Sequence, residues 1–353
     1  MNRGRCLEYI FTSNPRSLLQ DKPTSRSESF QAFMRKVDSI TALTMDPSSP
    51  EAKELQSMGA KVVQHVLGCQ REVTKVIKDT GCDTICLIPP AHPSKFDISA
   101  ELVNAAAMSN VANVCLINPL GCNYAGPQRQ PQLQEFIDLE SLTLSAKGNF
   151  ATQLGHSPVV IRAGFYADNL LFYAPQAQKD GILPLQIGTG HKFAPDVAQV
   201  AAHVLTGKGQ HGFDDKHRGQ MMVVTGLMLC AGEELATAAS QALGVKMEFE
   251  NISEYAAPIL ARRETKGIGA NALTQDRGEK GARYILEYYR LVREGKTNYI
   301  SMTAFHDVTR NHPTEPTEFF KMYSGEFHAQ SCALTPFSTE TPIMGDKTDR
   351  ITR

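Results

Sequence analysis

From about residue 40 the chain alternates short apolar runs with longer stretches whose apolar residues recur at helical spacing. The short runs show little polar alternation, which is typical of strands buried on both faces of a parallel sheet. The predicted strands are Leu7–Phe11, Ser39–Met45, Lys61–Leu67, Thr84–Ile88, Val114–Asn118 and Val159–Arg162, and the predicted helices between them are Ser49–Met58, Arg71–Thr80, Asp97–Ser109 and Gln132–Lys147. This alternation predicts a doubly wound α/β domain with a parallel sheet.

The pattern changes beyond about residue 185. The spacing there predicts helices over 196–205 and 230–243, strands over 221–225 and 247–252, and mainly helical structure over 253–297. We therefore expect a first domain over 1–185 and a smaller C-terminal α+β lobe over 186–330 that closes the ligand crevice. The tail over 331–353 is rich in Thr, Ser and Pro and is expected to be disordered.

Charge and cysteine usage narrow the class of protein. The 353 residues carry 36 Lys and Arg against 37 Asp and Glu, so no overall field draws the molecule to nucleic acid or to an anionic membrane. No apolar run reaches the roughly 18 residues of a membrane span. The 8 Cys are scattered, several within apolar runs, which favours reduced thiols in a cytoplasmic protein. The His and Cys spacing predicts no metal site.

Several runs of the chain resemble the NmrA-like family of atypical short-chain dehydrogenases. They are Asp46–Leu55, Gly59–Gln64, Pro89–Asp97 and Val160–Leu171, and the run Pro313–Phe320 resembles the ending of fungal members. The resemblance implies a Rossmann-type domain that binds NADP or NAD, with the C-terminal lobe forming a substrate pocket. Some members of the family are reductases, including enzymes of fungal secondary metabolism, and others sense the nicotinamide pool and regulate partner proteins.

The first strand departs from the family pattern. Family members follow it with Gly-x-x-Gly-x-x-Gly, which lets the backbone approach the pyrophosphate. The stretch Phe11–Pro23 contains no glycine, so Thr12, Ser13 and Asn14 are the remaining candidates for phosphate contacts. The alternative is a remodelled N-terminus that binds nothing.

The resemblance also implies cofactor contacts at the other strand ends and a substrate pocket after the last strand. The implied cofactor residues are Asp46, Pro89, Pro90, Asn118, Lys147, Arg162, Gly164 and Phe165, and the implied substrate residues are Tyr166, Asn169 and Tyr173. Asp46 is either an acceptor for ribose hydroxyls or a turn and helix-cap residue. Lys147 is either a cofactor contact or a cation that balances a helix dipole. We expect Arg162 to pair with a carboxylate or carbonyl, and Asn169 and Tyr173 to share a helix face.

No Tyr-x-x-x-Lys occurs in the predicted helix Gln132–Lys147, so the sequence identifies no catalytic residue. Without that pair the proton must come from solvent or substrate. The first hypothesis is an NAD(P)-dependent oxidoreductase acting on an imine, enone or quinone in a small metabolite. The alternatives are a non-catalytic NAD(P)-sensing regulator that binds a protein partner, and a degenerate paralogue without cofactor.

Overall fold

A seven-stranded parallel sheet forms the centre of the molecule. The computed structural model describes residues 4–10, 37–90, 92, 94–146, 157–185, 191–192, 197–207, 216–226, 229–252, 286–297 and 303–328. The strands of the sheet are β1 (Gly4–Ile10), β2 (Val37–Thr44), β3 (Lys61–Gln64), β4 (Thr84–Ile88), β5 (Asn113–Pro119), β6 (Ser157–Ala163) and, after two short strands, β9 (Met221–Val224). Their spatial order is β3-β2-β1-β4-β5-β6-β9, and all neighbouring pairs are parallel. The predicted α/β fold with a Rossmann-type parallel sheet is confirmed.

Helices connect the strands. In chain order they are α1 (Pro50–Ser57), α2 (Gln70–Thr80), α3 (Lys95–Met108), α4 (Pro131–Ser145), α5 (Ala174–Asp180), α6 (Val197–Leu205), α7 (Gly232–Leu243), α8 (Ala304–Thr309), α9 (Pro316–Met322) and α10 (Ser324–Phe327). Residues 286–293 are also helical. The helix α7 ends at Gly244, whose φ of 70° is the left-handed conformation that the sequence predicts for a glycine just past a helix end.

Alternate residues of each strand pack on opposite faces of the sheet, because side chains of a strand alternate in direction. Cys115, Ile117 and Ile161 join one apolar cluster with α1, α6 and α8. Leu116 and Val160 join the opposite cluster with α2 and α3. Both faces are therefore covered, which explains why these strands read as continuous apolar runs.

The predicted element boundaries differ from the observed ones by a few residues. The third strand was expected to reach Leu67, but β3 ends at Gln64. Val66 and Leu67 are 50% and 40% exposed, so these two apolar residues lie on the surface and not in the sheet. The predicted strand was too long because it included these two residues for their apolar side chains.

A third apolar cluster lies beyond the large sheet. It combines α5, α7, α9 and the helical residues 286–293 with β7 (Ile182–Leu185), which pairs in parallel with β11 (Glu248–Asn251). A separate two-stranded antiparallel sheet joins β8 (His191–Lys192) to β10 (Leu229–Cys230). Because β9 belongs to the large sheet, the chain after residue 185 contributes to both parts of the molecule. The boundary at residue 185 stays a prediction.

Several expectations concern parts of the chain outside the described residues. These are the helical structure over 253–285 and the disordered tail over 331–353. Within the part of the chain that the structure describes, no helix is both long and apolar enough to cross a membrane. The same part contains no group of three or more His, Cys, Asp or Glu side chains arranged to hold a metal ion.

Candidate functional site

The strand order reverses between β1 and β4, two neighbouring strands at the centre of the sheet. From β1 the chain runs outward to β2 and β3, and from β4 it runs outward in the opposite direction to β5, β6 and β9. Ligands of open α/β sheets bind at such a switch point. Ile10 pairs with Ile88, so both strands end at the same level, and the buried Pro89 and Pro90 follow directly. Of the predicted cofactor residues, Thr12, Ser13, Asn14 and Lys147 lie outside the described residues.

Asp46 forms a turn at the end of β2. Its Oδ1 accepts hydrogen bonds from the backbone N of Ser48 at 3.0 Å and from the Ser48 hydroxyl at 2.6 Å. The cap of α1 is Ser49, whose hydroxyl accepts from the backbone N of Ala52 at 3.2 Å. The predicted turn is therefore present, and the cap is three residues further on. The half-buried Asp46 stays at the carboxyl end of β2, beside the crevice.

His65 follows β3 and is buried against α3. Its Nε2 lies 3.6 Å from Oε1 of Glu101, and the other oxygen of Glu101 accepts from the backbone N of Gly68 at 2.9 Å. Burial lowers the pKa of His65, and the nearby Glu101 opposes part of that effect. Glu101 thus ties the β3–α2 loop to α3.

Arg162 pairs with a carboxylate, as expected, and the partner is Glu140 of α4. Nη2 and Nε of Arg162 donate to the two oxygens of Glu140 at 2.7 and 3.1 Å, and Nη1 donates to Oδ1 of Asn123 at 3.1 Å. Asn118, which is paired with Arg162 across β5 and β6, donates from Nδ2 to Glu140 at 3.2 Å and to the carbonyl oxygen of Phe136 at 3.0 Å. This bidentate network fixes α4 against the ends of both strands.

The residues after β6 turn away from the sheet. The backbone N of Gly164 donates to the carbonyl of Val224 at 2.9 Å and so holds β6 to β9. Phe165 is 1% exposed and packs in the third apolar cluster, beyond the large sheet, with its ring centroid 5.9 Å from that of Tyr289. Tyr166 is half-buried and packs against the apolar cluster on the face of the sheet that α1, α6 and α8 cover.

The prediction that Asn169 and Tyr173 share a helix face is wrong. Residues Ala167–Tyr173 form a 3-10 helix with about three residues per turn, so positions four apart point in different directions. The buried Tyr173 has its hydroxyl 3.4 Å from that of Tyr289. Asn169 donates from its backbone N to the carbonyl of Tyr166 at 3.0 Å.

Sequence reasoning missed the contribution of residues 286–297, which pack onto α4. The carboxylate of Glu287 accepts from the backbone N of Gln132 at 2.9 Å and of Leu133 at 3.2 Å, and so caps α4. No signal in the sequence could have found this contact, because its two sides are 155 residues apart.

Lys95, at the start of α3, was also missed. Its Nζ donates to the carbonyl of Gln132, lies 3.3 Å from Oε2 of Glu135, and stands 4.1 Å from the ring centroid of Phe136. Burial lowers the pKa of this lysine, although Glu135 and Glu287 counteract part of the effect. Together, Lys95 and Glu287 join α3, α4 and the helical residues 286–293.

Within the described part of the chain, the buried hydroxyl of Tyr288 has no hydrogen-bond partner. Burial raises its pKa, and the neighbouring Tyr166 and Cys122 raise it further. Burial also raises the pKa of the Cys122 thiol to about 12, against the opposing effect of Arg162. The Tyr288 hydroxyl and the Cys122 thiol are therefore neutral near pH 7, unlike the nearby Arg162–Glu140 ion pair.

Comparisons with known proteins bear on this arrangement. No protein-family model matches the chain. A curated relative, the NAD(P)H azoreductase of Xenophilus azovorans, is 26% identical over 207 residues, which are 58% of this chain and 66% of the relative. The chain thus spans slightly less than two thirds of that relative.

Three solved structures resemble this fold over nearly the whole of their own length. The NADPH-dependent quinone oxidoreductase of Escherichia coli, complexed with NADPH, matches with a TM-score of 0.64 at 18% identity over 90% of this chain and 99% of that one. The Citrobacter triphenylmethane reductase complexed with NADP(H) has a TM-score of 0.65 at 15% identity, covering 91% and 100%. NmrA, a negative transcriptional regulator in complex with NADP, has a TM-score of 0.61 at 13% identity, covering 91% and 95%. The structural neighbours therefore include both reductases and a regulator.

Proposed function

We propose that this chain is an NAD(P)H-dependent reductase that delivers a hydride to a small electron-poor acceptor, namely a quinone, an azo compound, an imine or an enone. The observation that carries the proposal is the switch point between β1 and β4, with the helical residues 286–293 packed near the same edge of the sheet. The azoreductase relative and the quinone oxidoreductase neighbour support this class of acceptor.

The described residues at the crevice fit a dinucleotide. Asp46 at the end of β2 has the position and chemistry to accept hydrogen bonds from ribose hydroxyls, and Pro89 and Pro90 provide a rigid backbone at the end of β4. Residues 45–49 contain no Lys or Arg that would neutralise a 2′-phosphate. We therefore expect NADH to bind at least as tightly as NADPH. When bound, the reduced nicotinamide supplies the hydride.

The protein's own part is to position the acceptor and exclude water, with protonation left to solvent. The helix α4 contains neither Tyr nor Lys, so it carries no Tyr–Lys pair that would protonate an alkoxide. A quinone needs no such residue, because its reduced oxygen is a phenolate that takes a proton from water. We propose that Tyr166, Asn169 and Tyr173 line the substrate pocket, and that Gly164 and Phe165 support it from behind. Arg162 and Asn118 act as positioning residues through Glu140.

A non-catalytic NAD(P)-sensing role is the second candidate. It is favoured by the same lack of a Tyr–Lys pair on α4 and by the likeness to NmrA. The deciding experiment titrates the purified protein with NADH and NADPH, following nucleotide fluorescence and the thermal midpoint, and then adds a quinone or azo dye while absorbance at the nicotinamide band is recorded. Binding with turnover supports the reductase, binding without turnover supports the sensor, and no binding at millimolar nucleotide refutes both.

The finer form of the proposal is a cytoplasmic enzyme of fungal secondary metabolism. Its support is the C-terminal run Pro313–Phe320, which resembles the ending of fungal members, together with the buried free thiols of Cys115 and Cys122. Identifying the metabolite requires a substrate screen with the purified protein.

A further inference from the structure

We propose that the hydroxyl of Tyr288 is the hydrogen-bond donor that orients the substrate and selects acceptors with a neutral lone-pair atom, a quinone carbonyl above all. This inference rests on the proposed reductase function. Tyr288 lies in the helical residues 286–293, is 6% exposed, and its hydroxyl has no hydrogen-bond partner among the residues that the structure describes. A buried hydroxyl without a partner destabilises a fold, and a bound ligand that accepts its hydrogen bond would remove that cost.

The next residue provides an internal comparison. Tyr289 is also buried, with 1% exposed, but its hydroxyl lies 3.4 Å from that of Tyr173, so it has a hydrogen-bond partner within the protein. Two adjacent tyrosines therefore occupy similar apolar surroundings, and only one has its hydroxyl paired. Tyr288 packs in the same apolar cluster as Cys122 and Phe165, which follow β5 and β6 at the carboxyl edge of the sheet. The unpaired hydroxyl is thus close to the edge where the crevice lies.

The chemistry of the surroundings defines the ligand. The phenol stays protonated near neutral pH, since burial raises its pKa, and it therefore donates a hydrogen bond without giving up its proton. In the reduction of a quinone, the hydride adds two electrons and one hydrogen, one oxygen becomes a phenolate, and a proton from water completes the hydroquinone. The Tyr288 hydroxyl would stabilise the oxygen on which negative charge develops. A cationic triphenylmethane dye accepts its hydride on carbon and offers no such oxygen.

The test compares Tyr288→Phe with the matched variant Tyr289→Phe, using benzoquinone and a cationic triphenylmethane dye as substrates with NADH and NADPH. For Tyr288→Phe we expect kcat/KM for the quinone to fall about 10- to 100-fold while that for the dye stays within about twofold. For Tyr289→Phe we expect both values to stay near those of the native protein. Equal losses on both substrates, or no loss on the quinone, would overturn the proposal.

Thermal stability gives a readout that is independent of turnover. Without ligand, Tyr288→Phe should keep or raise the Tm, by up to about 2 °C, because no internal hydrogen bond is lost, whereas Tyr289→Phe should lower it. A decrease in Tm for Tyr288→Phe equal to that for Tyr289→Phe would mean a structural role and would refute the inference.

If the native protein reduces neither substrate, the reductase function fails, and the Tyr288 proposal then depends on binding. Benzoquinone must in that case raise the Tm of the native protein but not of Tyr288→Phe, and any other result overturns it.

Discussion

Replacing Glu140 by Gln tests whether the ion pair at the end of β6 holds the carboxyl edge of the sheet together. Glu140 accepts hydrogen bonds from Arg162 at 2.7 and 3.1 Å and from Asn118 at 3.2 Å. The side chains of Arg162 and Glu140 are only 12% and 6% exposed. Gln has nearly the same shape, but it removes the negative charge and sets an NH₂ donor against the donors of Arg162.

The expected loss follows from the burial of the pair. Removing one partner of a buried ion pair costs about 3–5 kcal/mol, because the remaining charge is left uncompensated. Arg162 keeps its hydrogen bond to Asn123 and a little solvent contact, which places the loss at the lower end of that range. We therefore expect the free energy of unfolding to fall by about 3 kcal/mol, or roughly a 100-fold change in the folding equilibrium.

Urea denaturation followed by far-UV circular dichroism measures this change as a shift of the midpoint at constant slope. The matched control is Glu248→Gln, because Glu248 pairs with Lys246 on the surface, where the two side chains are 61% and 83% exposed. Screening by solvent makes such a pair contribute little, so the control should show no measurable shift.

A double variant, Arg162→Met with Glu140→Leu, removes both charges and should recover much of the lost stability. The reasoning is refuted if Glu140→Gln is no more destabilising than Glu248→Gln, or if the double variant loses as much as the sum of the two single changes.

Three further predictions follow from other parts of the structure. Burial holds the pKa of His65 below its usual 6.5, so the unfolded chain takes up a proton first and the free energy of unfolding should fall as pH drops below about 6.5. His65→Gln should flatten this acid limb in denaturation curves measured from pH 7.5 to 5, and an unchanged limb would contradict the assignment. Gly232→Ala should destabilise the protein by about 1–3 kcal/mol, because an added Cβ would overlap the ring of Phe249. Phe249→Leu in the same chain should restore most of the lost stability, measured as Tm, and its failure to do so would locate the strain elsewhere. Asp46→Asn should improve NADPH binding relative to NADH by about 10-fold, since it removes a negative charge beside the expected 2′-phosphate. Fluorescence titration with both nucleotides measures the ratio of the two dissociation constants. An unchanged ratio would place the ribose away from Asp46.

The sequence predicted the strands of the large sheet because their pattern is local. A strand covered on both faces needs apolar residues at most positions, as over 85–88 and 159–161, and this requirement is visible without knowledge of the partner strand. It also predicted a strand near residue 221, but not that this strand returns to the large sheet beside β6. Strand pairing depends on how the whole chain is packed, which local spacing does not specify.

The candidate site was predicted in part. Burial of Arg162 in a strand required a polar partner, so the presence of a carboxylate could be expected, but its identity as Glu140 depends on how α4 packs over the sheet. The 3-10 geometry of residues 167–173 was missed, because the sequence pattern there is compatible with either kind of helix.

The sequence by itself determined the fold class, the edge of the sheet at which a ligand would bind, and the absence of a Tyr–Lys pair on α4, because these depend on residue types at short spacing. The tertiary structure decided which distant groups meet at that edge. It alone brings Glu287 to the start of α4 and pairs the hydroxyl of Tyr289 with that of Tyr173, whereas no described residue pairs with the hydroxyl of Tyr288. These contacts join residues more than 100 positions apart, and long-range packing, not local propensity, fixes them.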